Sequence, residues 1–396
     1  MNLNLPDYIL FCINKLNNKN YECFVVGGAI RDHLLNKHVN DYDLATNATP
    51  NQIKEVFNSE PTFDSGIKHG TITVLINSNP IQITTYRSDG EYSDYRHPNE
   101  VYFTNSLKED CRRRDFTINA LCYHPQKGLI DFFDGIDDLN NKIIRSIDNP
   151  DKRFQEDALR IIRALRFSTL LDFQIEEKTK QSIFYNKELL LNISIERVTD
   201  ELLKILSSNN CSKVIKEYFE IFKTIIPELN KIDKKNIIQL LSNELSSSTI
   251  NLAILLLYIQ KDAIGVMNKL KLPNTTKRKI LFLLNNYDID LSNKVNIKKT
   301  LNKNEEYFND LLKFIKIINP SINDVEIKMK LEEIINNNEP YKLNQLVING
   351  NDIKEMGFID NEISNVLNNI LTQIIEGKLD NNKREMISYV KRGCDR

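Results

Sequence analysis

The segment Val25-Val26-Gly27-Gly28-Ala29-Ile30-Arg31-Asp32, followed by Asp41-Tyr42-Asp43-Leu44, decides how the chain is read. An apolar strand runs into a Gly-Gly turn and then a helix, a geometry in which backbone N–H groups approach phosphate oxygens closely. Gly28 permits that approach, and Arg31, in the first helical turn, adds a cationic contact. In Asp41-Tyr42-Asp43 the period of two along a strand places both carboxylates on one face. Two anions side by side repel, so the pair needs a partner, and hard oxygen ligands suit Mg2+. Asp41 and Asp43 are therefore candidate metal ligands and candidate catalytic residues: two such ions ~4 Å apart activate a hydroxyl while neutralising a polyphosphate during in-line displacement. Isolated Asp-x-Asp pairs are commonly solvated loop residues, and the glycine turn upstream gives this one its weight.

Outward from this segment, strand-like runs cluster at Cys23 to Val26, Tyr42 to Leu44, Thr71 to Ile76, Ile81 to Tyr86 and Leu129 to Phe132, with a hairpin turn expected at Asn77 to Pro80. Helical periodicity at about Ala29 to Leu35, Asn51 to Phe57 and Arg114 to Leu121 makes this a mixed α/β head. In Arg113-Arg114-Asp115-Phe116-Thr117-Ile118-Asn119-Ala120-Leu121, the residues Phe116, Ala120 and Leu121 form the core stripe of the expected helix. Arg114 has the planar fork that holds triphosphate oxygens, and Asp115 has acceptors for ribose hydroxyls. The plainer role for Asp115 is to complement a helix dipole.

Asn149-Pro150 offers a helix start, and helical periodicity then runs to about Leu171. Phe154, Ala158, Ile161, Ile162 and Leu165 gather on one side when wound at ~3.6 residues per turn. Asp157, Arg160, Arg163 and Arg166, in steps of three, spiral along the other. Cytosine and adenine share an exocyclic amino donor beside a ring-nitrogen acceptor, whereas uracil and guanine present a carbonyl there. An Asp accepts from the amino group and an Arg donates to the ring nitrogen. Asp157 and Arg160 are thus equipped to admit C and A, and each well-formed paired contact of this kind is worth ~1–3 kcal/mol of discrimination. The bland alternative is an ordinary salt-bridged helix.

On these motifs the sequence resembles the polymerase-beta-type nucleotidyltransferases, specifically the class II CCA-adding enzymes and their poly(A) polymerase relatives. Arg113 to Leu121 matches the family's second motif almost letter for letter, and Glu156-Asp157-Ala158-Leu159-Arg160-Ile161-Ile162-Arg163-Ala164-Leu165-Arg166-Phe167 looks like its nucleotide-reading motif. The resemblance implies an elongated, seahorse-like chain: an α/β catalytic head followed by an all-α neck, body and tail. It implies template-independent addition of the 3′-terminal CCA to tRNA from CTP and ATP, with Asp157 and Arg160 reading the base and Arg163 and Arg166 binding nucleotide or holding the pocket. Asp89 to Pro98 resembles the loop with which family members switch from C to A. Ile193-Ser194-Ile195-Glu196-Arg197-Val198 resembles the segment that braces the reading helix, and Val347 to Ile353 a tail element. Many relatives carry a Glu where this chain has Gln82; an amide supplies no anionic ligand, so Asp41 and Asp43 must suffice.

At 396 residues the chain is too long for one ordinary core. The expected parts are a nucleotidyltransferase head (1–149), a nucleotide-reading neck (150–205), a helical body (206–325) and a helical tail that binds tRNA (326–396). Beyond Asn149 strand signals vanish, and Leu252 to Ile259 reads as a buried helix segment. With 41% apolar and 27% charged residues, no apolar run near ~20 residues and no export signal, a cytoplasmic protein without a membrane partner is expected. Six cysteines without a C-x-x-C pair and five histidines without an H-x-x-x-H pair argue against a zinc site and a disulfide framework. A net charge of −1 means that any RNA site is a local patch. The candidates are Lys269, Lys271, Lys277, Arg278 and Lys279, and Lys383, Arg384, Lys391 and Arg392. Rival readings are an A-only adding enzyme, a poly(A) polymerase, a small-molecule-modifying enzyme, which needs no long helical arm, or an inactive RNA-binding relative, in which Asp41 or Asp43 would be lost.

Overall fold

Alternation of apolar and polar residues builds the sheet. Thr71–Ile76 buries Ile72, Val74 and Ile76, and Asn79–Thr85 buries Ile81 and Ile83. The hairpin between them turns on Asn77 and Ser78, with φ of 49° and 67°, the left-handed pair that a tight two-residue turn requires. The structure is a computed structural model that describes residues 3–39, 41–90, 101–241 and 247–394.

The chain divides into two compact units, Met1–Ser242 with Gly265–Lys271, and Asn243–Ile264 with Leu272–Arg396. In the first, the strands are β1 (Cys23–Val26), β2 (Asp43–Thr46), β3 (Thr62–Gly66), β4 (Thr71–Ile76), β5 (Asn79–Thr85), β6 (Arg87–Asp89), β7 (Val101–Phe103), β8 (Cys122–His124), β9 (Gly128–Ile130), β10 (Ile143–Ile144) and β11 (Gln174–Ile175). Among the described residues a seven-stranded sheet runs in the order β3-β4-β5-β2-β1-β8-β9, parallel at β2–β5 and antiparallel elsewhere. Its helices are α1 (Asp7–Asn17), α2 (Gly28–Leu34), α3 (Pro50–Val56), α4 (Leu107–Arg112), α5 (Gly135–Asn140), α6 (Pro150–Glu156), α7 (Leu159–Leu171), α8 (Glu177–Tyr185), α9 (Ile195–Leu206), α10 (Cys211–Glu217), α11 (Phe219–Ile225) and α12 (Lys234–Leu241). One sheet face packs Val25, Leu44, Ile72 and Ile83 against Ile9, Ile13, Ile30 and Ile53; the other packs Phe24, Val26 and Ala45 against Leu107, Cys111 and Ala120.

Two registers place Asp43, whereas Asp41 precedes β2 and is not on the strand, contrary to the expected strand at Tyr42 to Leu44. Val26 pairs with Asp43 across β1–β2, and Asp43 pairs with Gln82 across β2–β5. Paired residues point to the same side, so Asp43 projects from the face covered by α4, beside the turn that follows Val26.

Three expectations need correcting. Arg114 to Leu121 is not an α-helix: α4 ends at Arg112, Phe116 is extended (φ −132°, ψ 152°), and a single 3-10 turn covers Thr117–Asn119. Phe116, Thr117, Ile118, Asn119, Ala120 and Leu121 are all buried, and a segment enclosed on every side carries no amphipathic period to read. Strand structure does not vanish after Asn149, because Gln174–Ile175 pairs in parallel with Ile143–Ile144. The helix expected from Pro150 to Leu171 is two helices, broken at Asp157 (φ −138°, ψ 99°). The break escapes notice because Phe154, Ala158, Ile161, Ile162 and Leu165 are all buried across it. The helix start at Asn149-Pro150 is as expected, with the Asn149 side chain accepting from the Lys152 N–H.

The second unit is helical: α13 (Ser248–Leu257), α15 (Asn274–Leu284), α16 (Lys294–Asn304), α17 (Phe308–Ile318), α18 (Asp324–Asn336), α19 (Gly350–Glu355), α20 (Asp360–Ile375) and α21 (Lys383–Cys394), while α14 (Gln260–Lys269) crosses from one unit to the other. Of the apolar run expected as a buried helix segment, Leu252 to Leu257 is buried helix, but α13 ends there and Tyr258 is exposed. Ile348, Ile353, Ile370, Ile374, Met386 and Val390 form a core of their own near the C-terminus. No helix among the described residues is long and apolar enough to cross a membrane.

Candidate active site

Where β1 ends, Gly27 adopts φ 78° and ψ −138°, a conformation that only glycine reaches without strain. A Cβ there would stand 2.8 Å from Arg114 Nη1. The turn therefore serves two ends: it releases the chain into α2, and it lets the guanidinium from the end of α4 lie against backbone. Arg31, one turn into α2, donates to Asn119 Oδ1 at 2.6 Å and forms a two-point pair with Asp32 at 2.8 and 2.9 Å.

These elements surround an open cleft of about 590 Å³. All ten residues singled out from sequence line it: Gly28, Arg31, Asp41, Asp43, Arg114, Asp115, Asp157, Arg160, Arg163 and Arg166. Gly27, Asn119 and Phe167 line it too and were missed. Phe167 gives the floor: the guanidinium carbons of Arg166, Arg31 and Arg163 lie 4.3, 5.0 and 5.4 Å from its ring centre, contacts worth about 0.5–2 kcal/mol each. Its place directly after Arg166 was the available signal.

Each cleft arginine has its own carboxylate. Arg31 pairs with Asp32, Arg114 with Asp110 at 3.4 Å, Arg160 with Glu156 at 3.1 Å, Arg163 with Asp115 and Arg166 with Glu201 at 3.0 Å. Asp115 is buried and fully used: Arg163 Nε donates to one oxygen at 2.9 Å, and the Phe116 N–H and Asn119 Nδ2 donate to the other, both at 2.9 Å. Burial alone would raise its pKa, but the Arg163 charge and the Asn119 bond overcome it and hold the carboxyl well below the usual range. Asp110 behaves likewise, with Arg113 and Arg114 outweighing burial.

The remaining carboxylates are less engaged. Asp41 and Asp43 are exposed to the cleft and make no ion pair among the described residues. The surrounding protein lifts the Asp43 carboxyl above its ordinary range; Arg114 opposes that shift and Asp41 adds to it. Asp157 accepts from the Leu159 N–H at 3.1 Å and has Arg197 at 3.9 Å. Burial raises its pKa against the pull of Arg160 and Arg197.

Two carboxylates in an open cleft lined by arginines fit a hard divalent cation that a polyphosphate helps to ligate. No cluster of three or more His, Cys, Asp or Glu able to hold a metal exists among the described residues, and the position paired with Asp43 is the amide Gln82. Five described cysteines are buried free thiols. The loop expected at Asp89 to Pro98 lies, from residue 91 onward, outside the described residues.

Residues 23–145 match the poly A polymerase head domain, and residues 172–232 match the probable RNA and SrmB-binding site of polymerase A. A CCA-adding enzyme of Enterococcus faecalis is 50% identical over 198 residues, 50% of this chain and 48% of that protein. One of Pediococcus pentosaceus is 42% identical over 230 residues, 56% of this chain and 58% of that protein. The chain thus spans about half the length of the curated relatives it matches. Among solved structures, the Bacillus stearothermophilus CCA-adding enzyme in complex with CTP superposes with a TM-score of 0.82 at 26% identity, covering 98% of this chain and 97% of that one. The Thermotoga maritima CCA-adding enzyme complexed with tRNA-CCA shares the fold, with a TM-score of 0.67 at 22% identity over 98% of this chain and 96% of that one.

Proposed function

We propose, from the match of residues 23–145 to the poly A polymerase head domain, that the chain rebuilds the 3′-terminal CCA of tRNA from CTP and ATP without a nucleic-acid template. The observation that carries the reading is that one cleft joins Asp41 and Asp43, at the start of β2, to Asp157 and Arg160 at the α6–α7 break.

Arg31 and Arg114 bind the triphosphate, with the Gly28 N–H offered at the start of α2, the Gly27 N–H being used by the Leu121 carbonyl. Asp41 and Asp43 hold Mg2+, which when bound neutralises the triphosphate and favours ionisation of the attacking 3′-hydroxyl. Asp157 accepts from the exocyclic amino group of C or A. Arg160 donates to the ring nitrogen: its Nη1 hydrogens go to the Arg153 carbonyl and Glu156 and one Nη2 hydrogen to the Arg113 carbonyl, which leaves Nε–H and a second Nη2–H to give. Uracil and guanine set a carbonyl against the Asp157 carboxylate and are refused. Asp115 fixes Arg163 at the ribose end of the cleft, and Arg166 with Phe167 closes the wall. Residues 1–149 serve as head, 150–205 as neck, 206–325 as body and 326–396 as the tRNA-binding tail of a cytoplasmic enzyme.

The test is direct. tRNAs ending before CCA, or ending in CC, are incubated with CTP, ATP or both, and their ends are sequenced. CTP alone is expected to add two residues, and both nucleotides a complete CCA; addition restricted to the final A would make the protein an A-adding enzyme instead. Asp43→Asn is expected to lower every incorporation by at least about a hundredfold.

A further inference from the structure

The carbonyls of Arg112, Arg113 and Arg114 close α4 and have no donor within that helix. Guanidiniums from α6 and α7 supply all three. Arg153 Nη2 donates to Arg112 O at 3.0 Å and to Arg114 O at 2.8 Å, and Arg160 Nη2 donates to Arg113 O at 2.8 Å. Positive charge at a helix C-terminus is itself favourable.

The same two arginines meet at Glu156. One of its oxygens accepts from Arg153 Nη1 and from Arg160 Nη1, and Arg160 Nη1 also donates to the Arg153 carbonyl at 3.0 Å. A closed frame of Arg153, Glu156 and Arg160 therefore brackets Asp157 at the point where its extended backbone interrupts the helix. Arg153 is 7% exposed, and neither it nor Glu156 lines the cleft. They cannot reach a nucleotide held there, yet they span both of its ends: the peptide units that anchor Arg153 carry Arg114, and the frame it completes carries Arg160.

Resting on the base-selecting role of Asp157 and Arg160 given above, we propose that Arg153 is a positioning residue for nucleotide selection, setting the distance between the base-reading pair and the triphosphate-binding arginine. A base of the right edge then engages Asp157 and Arg160 only while its triphosphate sits on Arg114. Lysine cannot replace the fork, because a single ammonium does not reproduce bonds to two carbonyls and a carboxylate in one plane.

The experiment uses the whole protein, a tRNA lacking CCA, and each of the four NTPs singly. For Arg153→Lys the ratio of C to U incorporation is expected to fall at least about tenfold, the size of one lost base contact. The loss appears in kcat/KM for CTP relative to UTP, while the KM for tRNA stays near wild type and the protein, though less stable, remains folded. Glu156→Gln, which keeps the shape of the frame and removes its charge, is expected to lose selectivity in the same way. A folded Arg153→Lys or Glu156→Gln enzyme with wild-type selectivity overturns the proposal. So does a uniform loss for all nucleotides, or failure of both variants to fold, since the frame is then merely structural. A wild-type protein that adds no C at all instead removes the base-selecting reading itself, and is recognised before any variant is made.

Discussion

Gly27 shows how much one backbone conformation carries. Its φ of 78° and the 2.8 Å approach that a Cβ would make to Arg114 Nη1 predict that Gly27→Ala costs about 1–3 kcal/mol of stability. By pushing Arg114 aside, it also raises the KM for nucleotide; urea unfolding and single-nucleotide kinetics read the two effects separately. Asp157 gives a second prediction. Its pKa is raised by burial, and once protonated it donates a hydrogen bond where it had accepted one, so the carbonyl of uracil becomes tolerable. Discrimination of C against U should therefore weaken on acidification while ordinary carboxylates are still ionised, and a ratio that stays flat until the protein unfolds would count against the assignment. Asp157, Arg160, Arg163 and Arg166 were legible in the sequence because Glu156 to Phe167 resembles a nucleotide-reading motif; their three-residue spacing alone fits an ordinary salt-bridged helix. The backbone break at Asp157 was not, because the α4 carbonyls that Arg153 and Arg160 hold on either side of it are distant in sequence.

Among elements, β4 and β5 could be read from alternation and β1 from its short apolar run, whereas β2 begins at Asp43 rather than Tyr42, β3 is mostly exposed and β8 is wholly buried, so none of these three alternates. The segment after α4 was misread as a helix for the same reason. Its Asp115 ties that segment to α7 through Arg163, and Arg163→Ala leaves a buried carboxylate without its ion pair. Losing the partner of a fully buried pair costs about 3–5 kcal/mol. With the Arg163 side chain 30% exposed, roughly 2 kcal/mol is expected in chemical denaturation, after allowing for solvent screening. The carboxyls of Asp110 and Asp115 have folded pKa values below the ordinary 3.8. Their contribution is thus fully present above that value and is lost as the pH falls through the lowered folded values. Acid titration should show wild-type stability eroding below about pH 4, and the Arg163→Ala protein should give way at a higher pH.

At the scale of the molecule, the helical character of the second unit follows from Leu and Ile recurring at helical spacing. The division of the chain was less legible, because Gly265–Lys271 rejoins the first unit through bonds such as Thr199 Oγ1 to Leu270 O at 2.9 Å, a pairing that no local pattern announces. The basic stretches are partly neutralised: Lys271 pairs with Glu196, Lys279 with Asp310 and Lys383 with Asp352. With a net charge of −1, tRNA affinity should depend on few phosphate contacts, falling by less than about a thousandfold between 50 and 200 mM salt; a filter-binding titration measures it. The central claim, that side chains at the α6–α7 break do the work of a template, is tested most directly by a crystal structure with CTP bound. The account predicts the cytosine amino group on the Asp157 carboxylate and its ring nitrogen on the Arg160 guanidinium. A cytosine seated elsewhere in the cleft, touching neither, would contradict it.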